Sequence, residues 1–274
     1  MRKLICFLLC IVATFSLCAC RSNLFGYNGP TTTTKPITQT TTELTTNPNV
    51  SVLSGKKIVY DGDSVCEGYY GGGGYAAIIG ELTGSISINK GKGGGRLRTQ
   101  VGADDSFHSV VDNVKNLPKD ADLYCFQGGV NDWWTYGVLG TYDKNDFTGE
   151  LDTTTVCGAL EAIFRYALEN FEGKPICFVI THKVQSIAYK TNANGNTFAE
   201  YHDAMIGICE KYSIPYYDAF CDSGLNGWDD DWSSALLTGN AEGEQDGCHP
   251  SEEGYRLCYV PQMIELFENM LKNK

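Results

Sequence analysis

The chain has 274 residues, of which 42% are hydrophobic and 12% aromatic, so it is long enough to bury the core of one domain or of two small ones. Its formal net charge of -12 argues against a nucleic-acid surface and against attachment to anionic lipid through a basic patch. Neutral or cationic partners fit this charge better.

The first twenty residues have the pattern of an export signal. A basic start, "MRK", precedes the apolar run "LICFLLCIVATFSL" and the tetrapeptide "LCAC", which ends at Cys20. This tetrapeptide resembles the bacterial lipobox, and the resemblance implies removal of residues 1–19 and lipidation of Cys20. A transmembrane helix is the alternative, although the apolar run is shorter than the roughly 20 residues that span a bilayer. We expect an exported protein, either lipid-anchored to the outer face of the bacterial cell membrane or secreted.

A threonine-rich segment follows the signal. Residues 31–46, "TTTTKPITQTTTELTT", hold ten threonines and one proline without an apolar periodicity that could build a core. Such a composition predicts a solvated spacer, and an edge strand is the less favoured alternative because no alternation supports it. We therefore predict a signal peptide over 1–19, a lipidated cysteine and linker over 20–53, and a folded domain over 54–274.

Short β-rich runs alternate with longer helical patterns in this folded domain. The predicted strands are KKIVYDG (56–62), SISIN (85–89), ADLYCFQGG (121–129), KPICFVITH (174–182) and IPYYDAF (214–220). The predicted helices are YAAIIGEL (75–82), FHSVVDNVKNL (107–117), TVCGALEAIFRYALENF (155–171), FAEYHDAMIGICEKY (198–212) and the C-terminal segment 253–274. This alternation predicts an α/β fold, in which helices cover both faces of a parallel sheet and functional groups lie outside the carboxyl ends of the strands.

Polar or glycine-rich turns follow the first three predicted strands. Gly62-Asp63-Ser64 comes after the first, "NKGKGGGRL" (89–97) after the second, and "GGVNDWW" (128–134) after the third. Taken alone, Gly-Asp-Ser is typical of an ordinary turn. Three such turns at one edge of a sheet favour a functional site instead.

Four histidines could serve as a base for Ser64. His249 lies just before the last helix with Asp246 three residues earlier, a spacing that lets one loop present an imidazole while its own carboxylate holds the other ring nitrogen. His182 ends the fourth predicted strand at the same edge and is a weaker alternative. His108 and His202 fall within helical patterns and are interpreted as surface or structurally satisfied residues.

Four separated blocks resemble those of the SGNH, or GDSL, hydrolase family. They are Gly62-Asp63-Ser64, Asn89-Lys90-Gly91-Lys92-Gly93-Gly94, Gly129-Val130-Asn131-Asp132 and Asp246-Gly247-Cys248-His249. The blocks stand in the family's order and span residues 62–249, nearly the whole folded domain. Val65 departs from the leucine of the family's name, a change between apolar residues. The resemblance implies a flavodoxin-like three-layer α/β/α sandwich with a parallel five-stranded sheet.

The resemblance also implies a mechanism. Ser64 would be the nucleophile, His249 would take its proton and later donate one to the leaving alcohol, and Asp246 would orient the imidazole. No metal or cofactor is implied. No C-x-x-C pair is present, so a zinc site is not expected.

An oxyanion hole follows from the same comparison of blocks. Its donors would be the backbone N–H groups of Ser64 and Gly94 and the side-chain amide of Asn131. The run of glycines at 93–95 leaves the second donor open to Gly93, Gly94 or Gly95. Asp132 is expected to be structural, because a carboxylate would repel a developing oxyanion.

Aromatic residues after the third block suggest a substrate. Trp133, Trp134 and Tyr136 could form a sugar-binding wall beside Ser64, or they could be core residues. Our hypothesis is an exported serine esterase that removes acyl groups, such as acetyl, from a carbohydrate at the cell surface. A lipase or lysophospholipase is one alternative, and a noncatalytic carbohydrate-binding surface protein is another. Among the cysteines, Cys221 and Cys248 could form a disulfide at the predicted edge.

Overall fold

The computed structural model of the protein describes residues 51–68, 73–102, 107–185, 190–227, 231–238 and 245–272. The predicted signal peptide, the predicted lipidation site Cys20 and most of the predicted linker lie outside these residues. Packed structure begins slightly before the predicted boundary at Ser54, because Leu53 is fully buried in the core. Within the described ranges, no helix combines the length and the apolar composition needed to cross a membrane.

Five parallel strands form one sheet, which confirms the predicted α/β fold class. The strands are β1 (Lys57–Asp61), β2 (Ile86–Asn89), β3 (Leu123–Gly128), β4 (Ile176–Ile180) and β5 (Tyr216–Asp218). Their spatial order is β2-β1-β3-β4-β5, the flavodoxin-like order of doubly wound sheets. The strands β3 and β4 are buried along their whole length, which explains why both read as continuous apolar runs.

The helices flank this sheet and include several single turns. They are α1 (Ser64–Glu67), α2 (Gly74–Thr83), α3 (Val110–Asn113), α4 (Val130–Trp134), α5 (Val156–Asn170), α6 (Phe198–Tyr212), α7 (Ala219–Asp222), α8 (Asp231–Leu236), α9 (Glu252–Cys258) and α10 (Val260–Lys272), with a 3-10 turn at Val114–Asn116. The capping box of Thr197 and Glu200 fixes the start of α6 at its predicted residue.

Two predicted helices differ from the observed ones. The pattern over 107–117 forms only the short α3 and the 3-10 turn, and His108 precedes them in a loop. The predicted C-terminal helix divides into α9 and α10 at Tyr259. Pro261 accounts for this break, because proline lacks an N–H group and is tolerated only in the first turn of a helix.

Successive residues of the strands point to opposite faces of the sheet and pack into two separate hydrophobic cores. On one face, Tyr124 and Phe126 of β3 pack with α5 and α6, and the ring of Tyr124 stacks on that of Phe171 with centroids 3.8 Å apart. On the other face, residues of the same strands pack with α2, α9 and α10, where Tyr75 stacks on Tyr259. Helices therefore cover both faces, and the carboxyl ends of the strands are left to carry the site.

Candidate active site

Ser64 lies at the junction of β1 and α1, where a strand turns abruptly into a helix. Asp63 is the N-cap of α1, and its carboxylate accepts a hydrogen bond from the N–H of Val65 at 2.8 Å. The N–H of Asp63 donates to the side chain of Gln127, which in turn donates to Thr181 at 2.7 Å. These bonds fix the turn and hold Ser64 at the start of the helix. As the first helical residue, Ser64 has a backbone N–H that the helix does not use.

His249 and Asp246 approach Ser64 from the loop before α9. The hydroxyl oxygen of Ser64 is 2.8 Å from Nε2 of His249, and Nδ1 of His249 is 2.5 Å from a carboxylate oxygen of Asp246. The other carboxylate oxygen of Asp246 accepts from the N–H groups of Cys248 and His249, each at 2.8 Å. A hydroxyl, an imidazole and a carboxylate are thus hydrogen-bonded in sequence.

Ionisation of Asp246 is favoured by this arrangement. Partial burial alone would raise the pKa of Asp246, but the hydrogen bonds from His249 and Cys248 outweigh burial and lower it. The carboxylate therefore stays charged and can hold the imidazole through Nδ1. The side chains of His249 and Asp246 are 17% and 28% exposed, so the triad opens to solvent.

Contacts with the segment after β4 position the loop of Asp246 and His249. The side chain of Gln185 donates to the carbonyl of Asp246, and its N–H donates to the carbonyl of Gly247 at 2.9 Å. Gly247 has a φ of +65°, and a Cβ there would lie 2.6 Å from the side chain of Gln185. Only glycine fits this conformation and this close approach without strain. Sequence reasoning did not single out Gln185.

The glycine run after β2 packs directly against the serine turn. The N–H of Lys92 donates to the carbonyl of Gly62 at 3.0 Å. Gly93 donates its N–H to the carboxylate of Glu67 at 2.6 Å, and Gly95 donates its N–H to the carbonyl of Lys92 at 2.9 Å.

The backbone N–H of Gly94 differs from those of Gly93 and Gly95, which both donate hydrogen bonds. None of the described residues accepts a hydrogen bond from its N–H. Gly94 also has a φ of +73°, and a Cβ there would meet no atom within 4 Å. Of the three glycines among which the sequence left the predicted donor open, only Gly94 therefore has a backbone N–H that no described residue accepts.

Asn131 and Asp132 project from α4 toward the same loop. The amide of Asn131 donates to the carbonyl of Gly95 at 3.1 Å, which leaves its second N–H without an acceptor in the described ranges. Asp132 is fully buried and accepts from the N–H groups of Leu97 and Arg98 at 2.9 and 3.3 Å. Asp132 therefore holds the glycine loop in place, as expected of a structural residue.

Asp63 is a buried carboxylate next to the candidate nucleophile. Burial raises its pKa to about 6, against the opposing effect of the hydrogen bonds from Val65 and Gln127. Sequence reasoning missed Gln127, although a glutamine within an otherwise apolar strand was a usable signal, because a buried amide needs polar partners.

The other three histidines are not bonded to Ser64. His182 is fully buried, and its Nδ1 lies 2.6 Å from the hydroxyl of Tyr259. Burial is the main cause that lowers its pKa to about 3. His108 pairs with buried Asp61 at 2.7 Å rather than lying in a helix. His202 lies in α6, as predicted, and contacts carboxylates away from the triad.

The predicted aromatic wall is only partly available to a ligand. Trp133 is 6% exposed and donates its indole N–H to the carbonyl of Asn196, so it packs into the domain instead of lining a binding surface. Trp134, the last residue of α4, is 48% exposed, and Tyr136, in the turn after α4, is 61% exposed. Cys221 and Cys248, which the sequence left as a possible disulfide, are both free thiols.

A hydroxyl, an imidazole and a carboxylate bonded in sequence at the carboxyl edge of a doubly wound sheet are the arrangement found in serine hydrolases. Residues 62–257 match the GDSL-like lipase/acylhydrolase family. The match covers more than half of the chain, and the chain belongs to this family. A comparison of the chain with curated proteins found no match.

Solved structures share the fold at low sequence identity. A protein from Lactobacillus plantarum is 22% identical with a TM-score of 0.62, and the match covers 80% of this chain and 98% of that one. A carbohydrate acetylesterase family member from Sinorhizobium meliloti is 16% identical with a TM-score of 0.55, over 79% and 99% of the two chains. An aryl esterase from M. smegmatis is 13% identical with a TM-score of 0.54, over 79% and 100%.

Proposed function

We propose that the protein is a serine esterase in which Ser64 is the nucleophile, His249 the general base and Asp246 the residue that orients it. The observation that carries this proposal is the pair of hydrogen bonds from Ser64 to His249 and from His249 to Asp246, at 2.8 and 2.5 Å. With Nδ1 protonated and bonded to Asp246, Nε2 of His249 can accept the proton of the Ser64 hydroxyl.

The reaction proceeds through an acyl-enzyme. The oxygen of Ser64 attacks the ester carbonyl while its proton passes to Nε2 of His249, giving a tetrahedral intermediate. That proton then passes to the leaving alcohol as the C–O bond breaks. Water, deprotonated by His249, hydrolyses the acyl group from Ser64 and restores the serine.

Three donors would stabilise the negative oxygen of the intermediate. They are the backbone N–H groups of Ser64 and Gly94 and the second N–H of the Asn131 amide. The contacts of Gly95 support their convergence, because Gly95 packs against the serine turn and accepts from Asn131. Donors fixed by the fold need little reorganisation as charge develops on the oxygen.

A carbohydrate ester is the proposed substrate, and removal of acetyl groups is the proposed reaction. Exposed Trp134 and Tyr136 offer faces on which a sugar ring could stack beside α4. The Sinorhizobium meliloti relative described as a carbohydrate acetylesterase family member is consistent with this proposal. Trp133 is not part of it, because its ring is buried.

Attachment to the outer face of the bacterial membrane through Cys20 is also proposed, from the lipobox-like "LCAC". Metabolic labelling with a radioactive fatty acid tests it: the full chain should be labelled and Cys20→Ala should not. Equal labelling of the two would contradict lipidation at Cys20.

A substrate panel tests the function. The full chain in a non-ionic detergent is compared on p-nitrophenyl acetate, acetylated xylan, acetylated mannan, acetylated peptidoglycan and aryl esters of increasing acyl length. Ser64→Ala is the inactive variant, and Ser54→Ala, at an exposed serine, is its matched control. We expect acetate release from a polysaccharide that Ser64→Ala abolishes and Ser54→Ala retains.

Three outcomes would contradict parts of the proposal. Turnover by Ser64→Ala would overturn the serine mechanism. A preference for long acyl chains, with no acetate released from any polysaccharide, would replace the carbohydrate substrate with a lipid and leave the mechanism standing. Tight binding of a polysaccharide without hydrolysis of any ester would indicate a noncatalytic binding protein.

A further inference from the structure

A second cluster of reactive side chains lies at the β5 end of the same sheet edge. His202 comes from α6, Asp218 is the last residue of β5 and the N-cap of α7, and Cys221 lies within α7. Their nitrogen, oxygen and sulfur atoms all lie within 4.8 Å of one another. Asp218 and Cys221 are three residues apart in the chain, whereas His202 comes from the preceding helix, so the cluster forms only when α6 packs beside the end of β5.

The distances between the candidate ligand atoms are close to those in a tetrahedral zinc site. Nε2 of His202 is 3.1 and 3.2 Å from the two carboxylate oxygens of Asp218, and 3.9 Å from the sulfur of Cys221. A tetrahedral zinc ion with bonds of about 2.0 Å to nitrogen and oxygen and about 2.3 Å to sulfur separates its ligand atoms by roughly 3.3 to 3.6 Å. The ligand atoms could therefore surround such an ion after small side-chain movements.

The remaining ring nitrogen of His202 has the partner that a metal-bound histidine usually has. Nδ1 lies 2.9 Å from the carboxylate of Asp203. A carboxylate at this position orients the ring and makes Nε2 a better donor once a metal ion displaces its proton. The ring of His202 also packs against Phe220 with centroids 4.5 Å apart, which restrains it further.

Charge and access also suit a cation. The carboxylates of Asp203 and Asp218 flank the imidazole, and Asp222 lies near enough to interact electrostatically with both Asp218 and His202. Among the described residues, Lys183 brings a positive charge nearby, with its ammonium over the ring of Phe220 at 5.1 Å. Cys221 is solvent-exposed, so an ion can enter from solution.

We propose that Nε2 of His202, the carboxylate of Asp218 and the thiolate of Cys221 bind one zinc ion, with water in the fourth position. Imidazole and thiolate ligands favour zinc over the hard cations magnesium and calcium. Binding releases the thiol proton of Cys221 and any proton on His202, without oxidation or reduction. The ion would join α6 to β5 and α7, and its binding to the folded chain would raise the stability of that chain, separately from the chemistry at Ser64.

Zinc binding by the full chain tests the site. The protein in detergent is stripped with a chelator, kept reduced, and equilibrated with zinc, and bound metal is measured by mass spectrometry. Cys221→Ser and His202→Gln should each bind one zinc fewer per chain than the wild type. The N-terminal cysteines are common to all these proteins, so the difference reports the proposed site alone. Zinc should raise the melting temperature of the wild type and not of Cys221→Ser.

Two further variants separate the proposed ligands from their surroundings. Asp203→Asn should weaken zinc binding by about 10- to 100-fold, as loss of a partner of a metal-bound histidine does. Asp222→Asn is the matched control, because it removes a nearby charge without removing a ligand, and it should keep the bound zinc. Cobalt in place of zinc should give a thiolate charge-transfer absorption band that Cys221→Ser lacks.

Equal zinc content and equal cobalt spectra in the wild type and Cys221→Ser would overturn the proposal. His202 would then be an ion-pair partner of Asp203 and Asp218 and nothing more. Because Cys221 is exposed, its replacement by serine should not prevent folding, which keeps the test valid if His202→Gln is unstable. Esterase turnover is measured in parallel, and its absence would bear on Ser64 without affecting the metal measurement.

Discussion

Replacing His182 with Asn should remove part of the acid sensitivity of the folded protein. His182 is fully buried between the residues of the candidate site and Tyr259, and burial, reinforced by the charge of a protonated His249, lowers its pKa from 6.5 to about 3. Asp246 and the backbone of Cys248 act in the opposite direction without cancelling the effect. The folded protein therefore holds His182 neutral at pH values where an unfolded chain protonates it.

The sign and size of the effect follow from this difference in pKa. Between pH 6.5 and about 3 the unfolded chain binds one proton more than the folded chain at this residue, so stability falls as the pH falls. Each pH unit in that window is worth about 1.4 kcal/mol. At pH 5 the wild type should have lost about 2 kcal/mol of unfolding free energy through His182 alone.

Urea denaturation of the wild type and of His182→Asn at pH 7, 6 and 5 measures this loss. The side chain of Asn places a polar group near the position of Nδ1, where it can bond to the Tyr259 hydroxyl, but does not titrate. The stability difference between the two proteins should shift by about 2 kcal/mol toward the variant from pH 7 to pH 5. Tyr259→Phe, which removes the hydrogen bond and leaves the imidazole, should keep the pH dependence of the wild type. If the difference in unfolding free energy between the wild type and His182→Asn stays constant with pH, the fold does not hold His182 neutral.

The remaining predictions concern the residues around Ser64. Asn131→Ala should lower kcat by about 10² to 10³ while urea denaturation shows little change in stability, since one oxyanion donor is lost; unchanged kinetics would make Asn131 a turn residue only. Asp246→Asn should lower kcat by about 10⁴. Because the pKa of Asp246 is lowered in the folded chain, its contribution to stability is present above pH 3.8 and is lost as the pH falls further. Below pH 3.8, Asp246→Asn should therefore lose less unfolding free energy than the wild type. Asp132→Ala should destabilise the fold by about 2 to 4 kcal/mol in urea titration, because two buried N–H groups lose their acceptor. Trp134→Ala should raise KM for acetylated oligosaccharides and not for p-nitrophenyl acetate, and equal effects on both would exclude a sugar platform.

The sheet could be predicted from local signals, and the three candidate catalytic residues from the order of four separated blocks that resemble one family. The strands β3 and β4 are apolar runs that only a doubly covered sheet can bury. The spacing of Asp246 and His249 is short enough for a single loop to set their geometry. Such features depend on neighbouring residues in the chain and can be recognised without knowledge of the tertiary structure.

Features set by tertiary contacts could not be predicted in this way. Trp133 and Trp134 are adjacent and chemically identical, and only the orientation of α4 decides that the first is buried and the second exposed. The one-turn helices α1 and α4 are too short to have a periodic pattern. The absence of a C-x-x-C pair argued against zinc, yet the fold brings His202 and Cys221 together from separate elements.

Covalent labelling of the nucleophile tests the central proposal most directly. The full chain is treated with a fluorophosphonate inhibitor, digested and analysed by mass spectrometry. We expect a single adduct on the peptide that contains Ser64, with loss of esterase activity in proportion to labelling. Labelling should be absent in Ser64→Ala and strongly slowed in His249→Ala, since the imidazole activates the hydroxyl. An adduct on another residue, or full inhibition of a protein whose Ser64 remains unmodified, would contradict the account.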